Sequence, residues 1–128
     1  MTRQLKREVK IGNIKIGGTN PIAVQTMLNV PVKDIAGNVA QAKRVAAAGC
    51  QIVRVTVPSP SDAAVVAAIK EAVDIPVVAI GGLNERTVPA LAGTGADGAA
   101  VVSAIFAADD IEAAARRLRA AVQAALGA

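Results

Sequence analysis

Apolar positions along this chain fall into two rhythms that take turns. Near the start, Val9, Ile11, Ile14 and Ile16 alternate with basic neighbours on either side of Gly12-Asn13. Alternation at period two puts every second side chain on one face of a strand, and a Gly-Asn pair can take the positive φ of a tight turn, so this stretch predicts a β-hairpin with one wet face. Gly17-Gly18-Thr19-Asn20-Pro21 ends it. From there an apolar run, a turn and an amphipathic helix recur four times. First come Ile22-Ala23-Val24-Gln25-Thr26-Met27 as a strand and Asp34 as the cap of a helix in which Ile35, Val39, Ala42 and Ala46 share a face, until Gly49 stops it. Ile52-Val53-Arg54-Val55-Thr56-Val57 is the second strand, and Ser59-Pro60-Ser61-Asp62 then combines a capping serine, a first-turn proline and an acid three residues after the cap. Val65, Ile69 and Val73 carry that helix to Asp74-Ile75-Pro76. The third strand, Val77-Val78-Ala79-Ile80, runs straight into Gly81-Gly82, and paired glycine at a strand end invites a close ligand. For the third helix Asn84 and Thr87 both offer caps, Pro89 fits only near a first turn, and Gly93 and Gly95 stop it early. The fourth strand is Ala99-Ala100-Val101-Val102-Ser103-Ala104-Ile105, followed by a helix capped by Asp109 or Asp110 with Ile111, Ala115, Leu118, Val122 and Leu126 in one stripe.

Strands alternating with helices through short loops give a parallel sheet with right-handed crossovers, so the predicted fold class is α/β and any function belongs where the strands end. Four such units are half of a (β/α)-barrel. One domain is expected, made of a hairpin at 1–20, two βα units at 21–75 and two more at 76–128. A half-barrel with helices on one side exposes its inner face and two strand edges, and a two-fold homodimer would cover both and close an eight-stranded barrel, with the hairpin at the bottom end. The alternative is a monomeric, flavodoxin-like open sheet with helices on both faces.

Composition agrees with a packed domain. Of the residues, 53% are hydrophobic and 19% charged, and with Phe106 the lone aromatic the core must be built from small and β-branched side chains, which suits parallel strands covered by helices. The formal charge of +4 comes largely from Arg3, Lys6, Arg7, Lys10 and Lys15, a solvated basic end. Without an aromatic platform for bases, nucleic acid is not an expected partner. The start lacks the apolar core of a signal peptide and no apolar stretch is long enough to span a bilayer, so the expectation is a cytoplasmic protein without a membrane partner. Cys50 opens an apolar run and reads as a buried thiol, and a single cysteine makes neither an internal disulfide nor a metal cluster. No metal and no cofactor are expected.

The chain resembles two enzyme families in succession. Val9-Lys10-Ile11-Gly12-Asn13, Ile16-Gly17-Gly18, Pro21-Ile22-Ala23-Val24-Gln25-Thr26-Met27 and the segment from Ala48-Gly49-Cys50-Gln51 through Val53-Arg54-Val55-Thr56-Val57-Pro58 resemble the barrel domain of hydroxymethylbutenyl diphosphate synthase, an iron–sulfur enzyme of isoprenoid synthesis. This likeness covers about residues 7–76 and implies that Arg54 has an anion-holding role. From about Ile75 the chain resembles the last two βα units of thiamine phosphate synthase, through Ile75-Pro76-Val77-Val78-Ala79-Ile80-Gly81-Gly82, Gly95-Ala96-Asp97-Gly98 and Val101-Val102-Ser103-Ala104-Ile105-Phe106. That second likeness implies a phosphate cradle made by Gly81, Gly82 and the backbone at Val102 and Ser103. Glycine lets backbone N–H groups approach an anion closely, which gives the implied cradle a physical basis. The change of likeness at a strand entry points to a chain recombined, by evolution or by design, from two barrel enzymes.

What both families need argues against turnover. The diphosphate synthase uses an iron–sulfur cluster on a separate domain, and the thiamine enzyme uses an earlier half of its barrel that has been replaced here. The chain also has no histidine, the side chain best suited to proton transfer near neutral pH. Asp34, Asp62, Asp109 and Asp110 read as helix caps, Asp97 as a stabilising residue at the bottom of the sheet, and the plain reading of Arg54 is a partner for an acid inside the barrel. The expectation is a scaffold that pairs with itself and binds phosphate or a phosphorylated small molecule at Gly81, Gly82, Val102 and Ser103, with Arg54 as a further anion-binding candidate and no catalytic residue. The alternative is an enzyme acting on a phosphorylated thiazole or an isoprenoid diphosphate.

Overall fold

A computed structural model describes residues 7–127, so Arg3 and Lys6 lie outside the described residues. The period-two segment forms an antiparallel pair, β1 (Glu8–Ile11) and β2 (Ile14–Gly17), with Val9 opposite Ile16. Of the turn pair only Gly12 has positive φ, +58°, the pattern of a II′ turn with glycine first. A Cβ on Gly12 would stand 2.8 Å from Pro76 Cγ and 3.3 Å from Asp97 Oδ1, which places the hairpin at the N-terminal ends of the strands that follow those residues.

Those strands belong to one parallel sheet whose order is the chain order: β3 (Gln25–Met27), β4 (Ile52–Thr56), β5 (Val77–Ile80) and β6 (Gly98–Ala100). The outer two are shorter than the apolar runs predict. Before β3, Val24 N–H is held by the Gln51 side chain at 2.9 Å instead of by a ladder, at a sheet end with no second neighbour. β6 stops because its ladder partner stops: Ile80 pairs with Ala100, and beyond it the chain turns into a short helix, α3 (Ser103–Phe106), with Val102 O accepting from Ile105 N and Phe106 N. Ser103 therefore opens a helical turn and is not a strand residue.

Three longer helical elements and one short turn cover the sheet. α1 (Ile35–Ala47) is capped as predicted, Asp34 accepting from Gly37 N. Its buried stripe is shifted: Ile35 is exposed, whereas Asn38 is fully buried with Nδ2 donating to the carbonyls of Pro31 and Asp34. α2 (Ala64–Ala72) starts after a single 3-10 turn at Pro60–Asp62. The third helix shrinks to a 3-10 turn, Val88–Leu91, because Asn84 Oδ1 takes the N–H groups of Arg86 and Thr87 and two glycines follow; Val88 and Leu91 are nonetheless fully buried. α4 (Ile111–Leu126) is capped by Asp110, not Asp109, and ends at Gly127 with φ +71°.

The strand register divides the sheet into two unlike faces. Val53, Val55, Val77 and Ala79 lie on one, and they pack with α1, α2, the Val88–Leu91 turn and α4 in one hydrophobic cluster. Ile52, Arg54, Thr56, Val78 and Ile80 lie on the other, outside that cluster. Helices on one face only are at odds with the flavodoxin-like alternative, which needs them on both. The architecture is α/β with a parallel sheet.

Candidate functional site

The C-terminal ends of β5 and β6 bring the four predicted cradle residues together. Gly81, Gly82, Val102 and Ser103 line one cavity of 150 Å³, with Ile80 and Leu83 completing its wall. The glycines are there for conformational and steric reasons: Gly81 and Gly82 have φ of +91° and +64°, and a Cβ on Gly82 would come within 2.9 Å of the Pro58 carbonyl oxygen. Among the described residues, the backbone N–H groups of Gly82, Val102 and Ser103 find no acceptor, whereas that of Gly81 faces β6, where the Ile80–Ala100 pairing sets it against the Ala100 carbonyl. At roughly 30 Å³ per water, the cavity has the volume of about five waters, which suits a tetrahedral oxyanion and falls short of the ~300 Å³ typical of a site for a whole cofactor-sized ligand.

Arg54 stands elsewhere. It projects from β4 on the helix-free face beside Val78, and lines a separate groove of 520 Å³. Its Nε is buried without a hydrogen-bond partner, and Arg54 is absent from the ion pairs among the described residues, so the acid inside the barrel that its plain reading requires is not found.

Two charged clusters were misread or missed in the sequence. Asp62, expected as a cap, accepts from Lys33 Nζ at 2.6 Å and from Ser59 Oγ at 2.9 Å, while Ser59 makes no side-chain bond to the helix backbone. The Lys33 and Ser59 hydrogen bonds hold the Asp62 carboxyl below its ordinary 3.8. Lys33 and Asp62 are 29 residues apart on different loops, and nothing local in the sequence announces their meeting. Asp97 Oδ2 accepts from Lys70 Nζ at 2.8 Å and from Val77 N at 2.9 Å, tying α2 to the start of β5 as a stabilising residue should. Cys50 is buried, its Sγ 3.0 Å from Ile52 O.

A parallel sheet with glycine at the strand ends is common to many barrels, and comparison with known proteins narrows the field. The family description of the GcpE TIM-barrel domain matches residues 6–121. The chain belongs to that family. This GcpE-type domain is 49% identical over 77 residues to 4-hydroxy-3-methylbut-2-en-1-yl diphosphate synthase (flavodoxin) from Caldanaerobacter subterraneus subsp. tengcongensis, a match covering 60% of this chain and 22% of that protein. The chain thus spans about a fifth of the curated relative's length. Among solved structures it is similar to thiamine phosphate pyrophosphorylase from Pyrococcus furiosus, with a TM-score of 0.65, 32% identity, and coverage of 82% of this chain and 61% of that one. GGGPS from Thermoplasma volcanium shares the fold, with a TM-score of 0.60 at 19% identity over 76% of this chain and 39% of that one. Both resemblances drawn from the residues have their counterparts, and the family match runs through Ile75, where the likeness changes. An iron–sulfur cluster does not fit this chain: such clusters are held by about four thiolates, and the chain has one cysteine, buried in the core.

Proposed function

We propose that this GcpE-type domain is a non-catalytic (βα)4 half-barrel, of recombined origin, that pairs with a second copy of itself and binds phosphate or the phosphate group of a small metabolite. The observation that carries the reading is the 150 Å³ cavity lined by Gly81, Gly82, Val102 and Ser103. Free N–H groups aimed into a small cavity are the recurring means of holding a phosphate at the mouth of a barrel. Arg54 offers the helix-free face a guanidinium whose Nε is unpaired, and an anion held there would be separate from the one in the cradle. A catalytic reading, on a phosphorylated thiazole or isoprenoid diphosphate, draws support from the names of the relatives and from Arg54; turnover that survives repurification and disappears in Arg54→Ala would establish it.

The cradle is tested by thermal unfolding with and without inorganic phosphate. At a hundredfold excess over the dissociation constant, the stabilisation expected is about 2.7 kcal/mol. Gly82 is a poor place for the control, because any side chain there is strained at φ +64°. Ser103 is exposed, so Ser103→Asp sets a negative charge against the incoming anion without disturbing the core, and Ser103→Ala is its neutral counterpart. The shift should vanish in Ser103→Asp and persist in Ser103→Ala. A shift unchanged by Ser103→Asp sinks the assignment.

A further inference from the structure

We propose that the second copy joins by sheet extension, the β3 edge of one chain entering the groove along the β6 edge of the other. The scaffold reading supplies only the idea of a second copy; the surfaces named here are separate from the glycine cavity.

The 520 Å³ groove wraps round the free edge of β6, with Gly98 and Ala100 on its floor and Ala115, Val122 and Leu126 of α4 overhanging it. Pro76 O and Ile80 O accept from the β4 side, so Val77 and Ala79 face β6, and with Ala79 level with Ala99 the backbone groups of Gly98 and Ala100 turn to β5 while those of Ala99 turn to the open edge. Unpaired N–H and C=O groups in an apolar trough are a template for a strand.

The opposite end of the sheet presents one. Leu28 N donates to Arg54 O and Val24 O accepts from Ile52 N, so the backbone groups of Gln25 and Met27 face away from β4. Val24 is 59% exposed and Ile22, just before it, 83%. Val24 has the parity of Thr26 and Val53, the helix side of the sheet, which is where α4 of the neighbouring copy overhangs its own β6. Met27 has the parity of Arg54 and would join the inner face. Neither edge carries the devices that native sheets use to refuse a neighbour: β3 is Gln-Thr-Met and β6 is Gly-Ala-Ala, without charge or proline. Both strands run in the same sense, so a two-fold axis along the sheet makes both junctions at once and closes the ring. Closure also brings residues 28–34 of the second copy, which follow its β3, beside Val102 and Ser103, walling the cradle from the side that one chain leaves open.

Light scattering coupled to size exclusion should give twice the 12.8 kDa chain mass. Val24→Glu on one edge and Val122→Lys on the other should each give the single-chain mass with an unchanged circular dichroism spectrum. Mixed in equal amounts, they should recover the doubled mass, because one junction then sets two opposite charges together and the other is unaltered. If Val122→Lys does not fold, Gln123→Lys, exposed in the same groove, takes its place. A single-chain mass for the unaltered protein, a doubled mass that survives Val24→Glu, or a mass that keeps growing with concentration overturns the proposal. Phosphate stabilisation on the same samples separates the two readings: a single chain that phosphate still stabilises ends sheet extension and leaves the cradle, and a doubled mass without stabilisation does the reverse.

Discussion

The two faces of the four-stranded sheet are built from the same strands and have opposite characters. On the helix side the two central strands are settled: Val53, Val55, Val77 and Ala79 are buried against one continuous layer. One residue along in each strand, Ile52 and Val78 are buried but lie outside that layer, Arg54, Thr56 and Ile80 are half-buried, and the edge strand adds Gln25 and Met27, exposed. Packing density is what the first face contributes, and it leaves no room for a ligand. The second face holds an unpaired guanidinium nitrogen and an apolar groove, and its C-terminal rim holds the glycine cavity. On the proposed reading, stability falls to one face of the sheet and binding to the other face and its rim, a separation that the two-residue period of a strand makes possible.

Substitutions on the two sides should break differently. The largest effect is expected on the settled side: Ile69→Ala, at a position with no solvent exposure, should cost about 2–5 kcal/mol in a denaturant titration. A smaller and opposite effect is expected across the sheet, where a buried donor without an acceptor costs about 1–3 kcal/mol; Arg54→Met should be neutral or stabilise by about 1 kcal/mol in phosphate-free buffer. If Arg54→Met instead destabilises as strongly as Ile69→Ala, the helix-free face is a second core. The smallest effect concerns Asp62 above the strand ends. Its folded carboxyl titrates below its ordinary 3.8, so it contributes stability that is fully present above that value and is lost as pH falls through the lower, folded value. Asp62→Asn should therefore lower the melting temperature slightly near neutral pH, and the difference from the parent should close as the pH drops below 3.8. A difference independent of pH would mean that the Lys33 and Ser59 contacts do not act through charge.

How much of this was legible depended on whether the information was local. The hairpin, the Asp34 cap and the buried spacing of Val65, Ile69 and Val73 are written in neighbouring residues, and the structure has them. That Gly81-Gly82 line a cavity at a strand end could be anticipated because the pair is a local anomaly, a strand ending in two residues that tolerate positive φ. The run 99–105 misled because an apolar stretch states only that residues are buried; whether it pairs depends on how far the neighbouring strand extends, and β5 stops at Ile80. Asn38 in the core went unnoticed for a related reason, since its partners are the carbonyls of Pro31 and Asp34 in the incoming loop, and polarity alone reads as exposure. Lys33 with Asp62 and Arg54 without a partner are matters of tertiary distance.

Because the order of strands in the sheet is their order in the chain, each strand finds its partner in the segment just before it, and β3 to β6 can dock one by one as synthesis proceeds. The hairpin is the exception. Made before β3 to β6, it seats against Pro76 and Asp97, residues translated only after β3 and β4. The hairpin therefore completes its tertiary contacts later than the strands that follow it begin to pair, a non-local closure of the kind that slows folding.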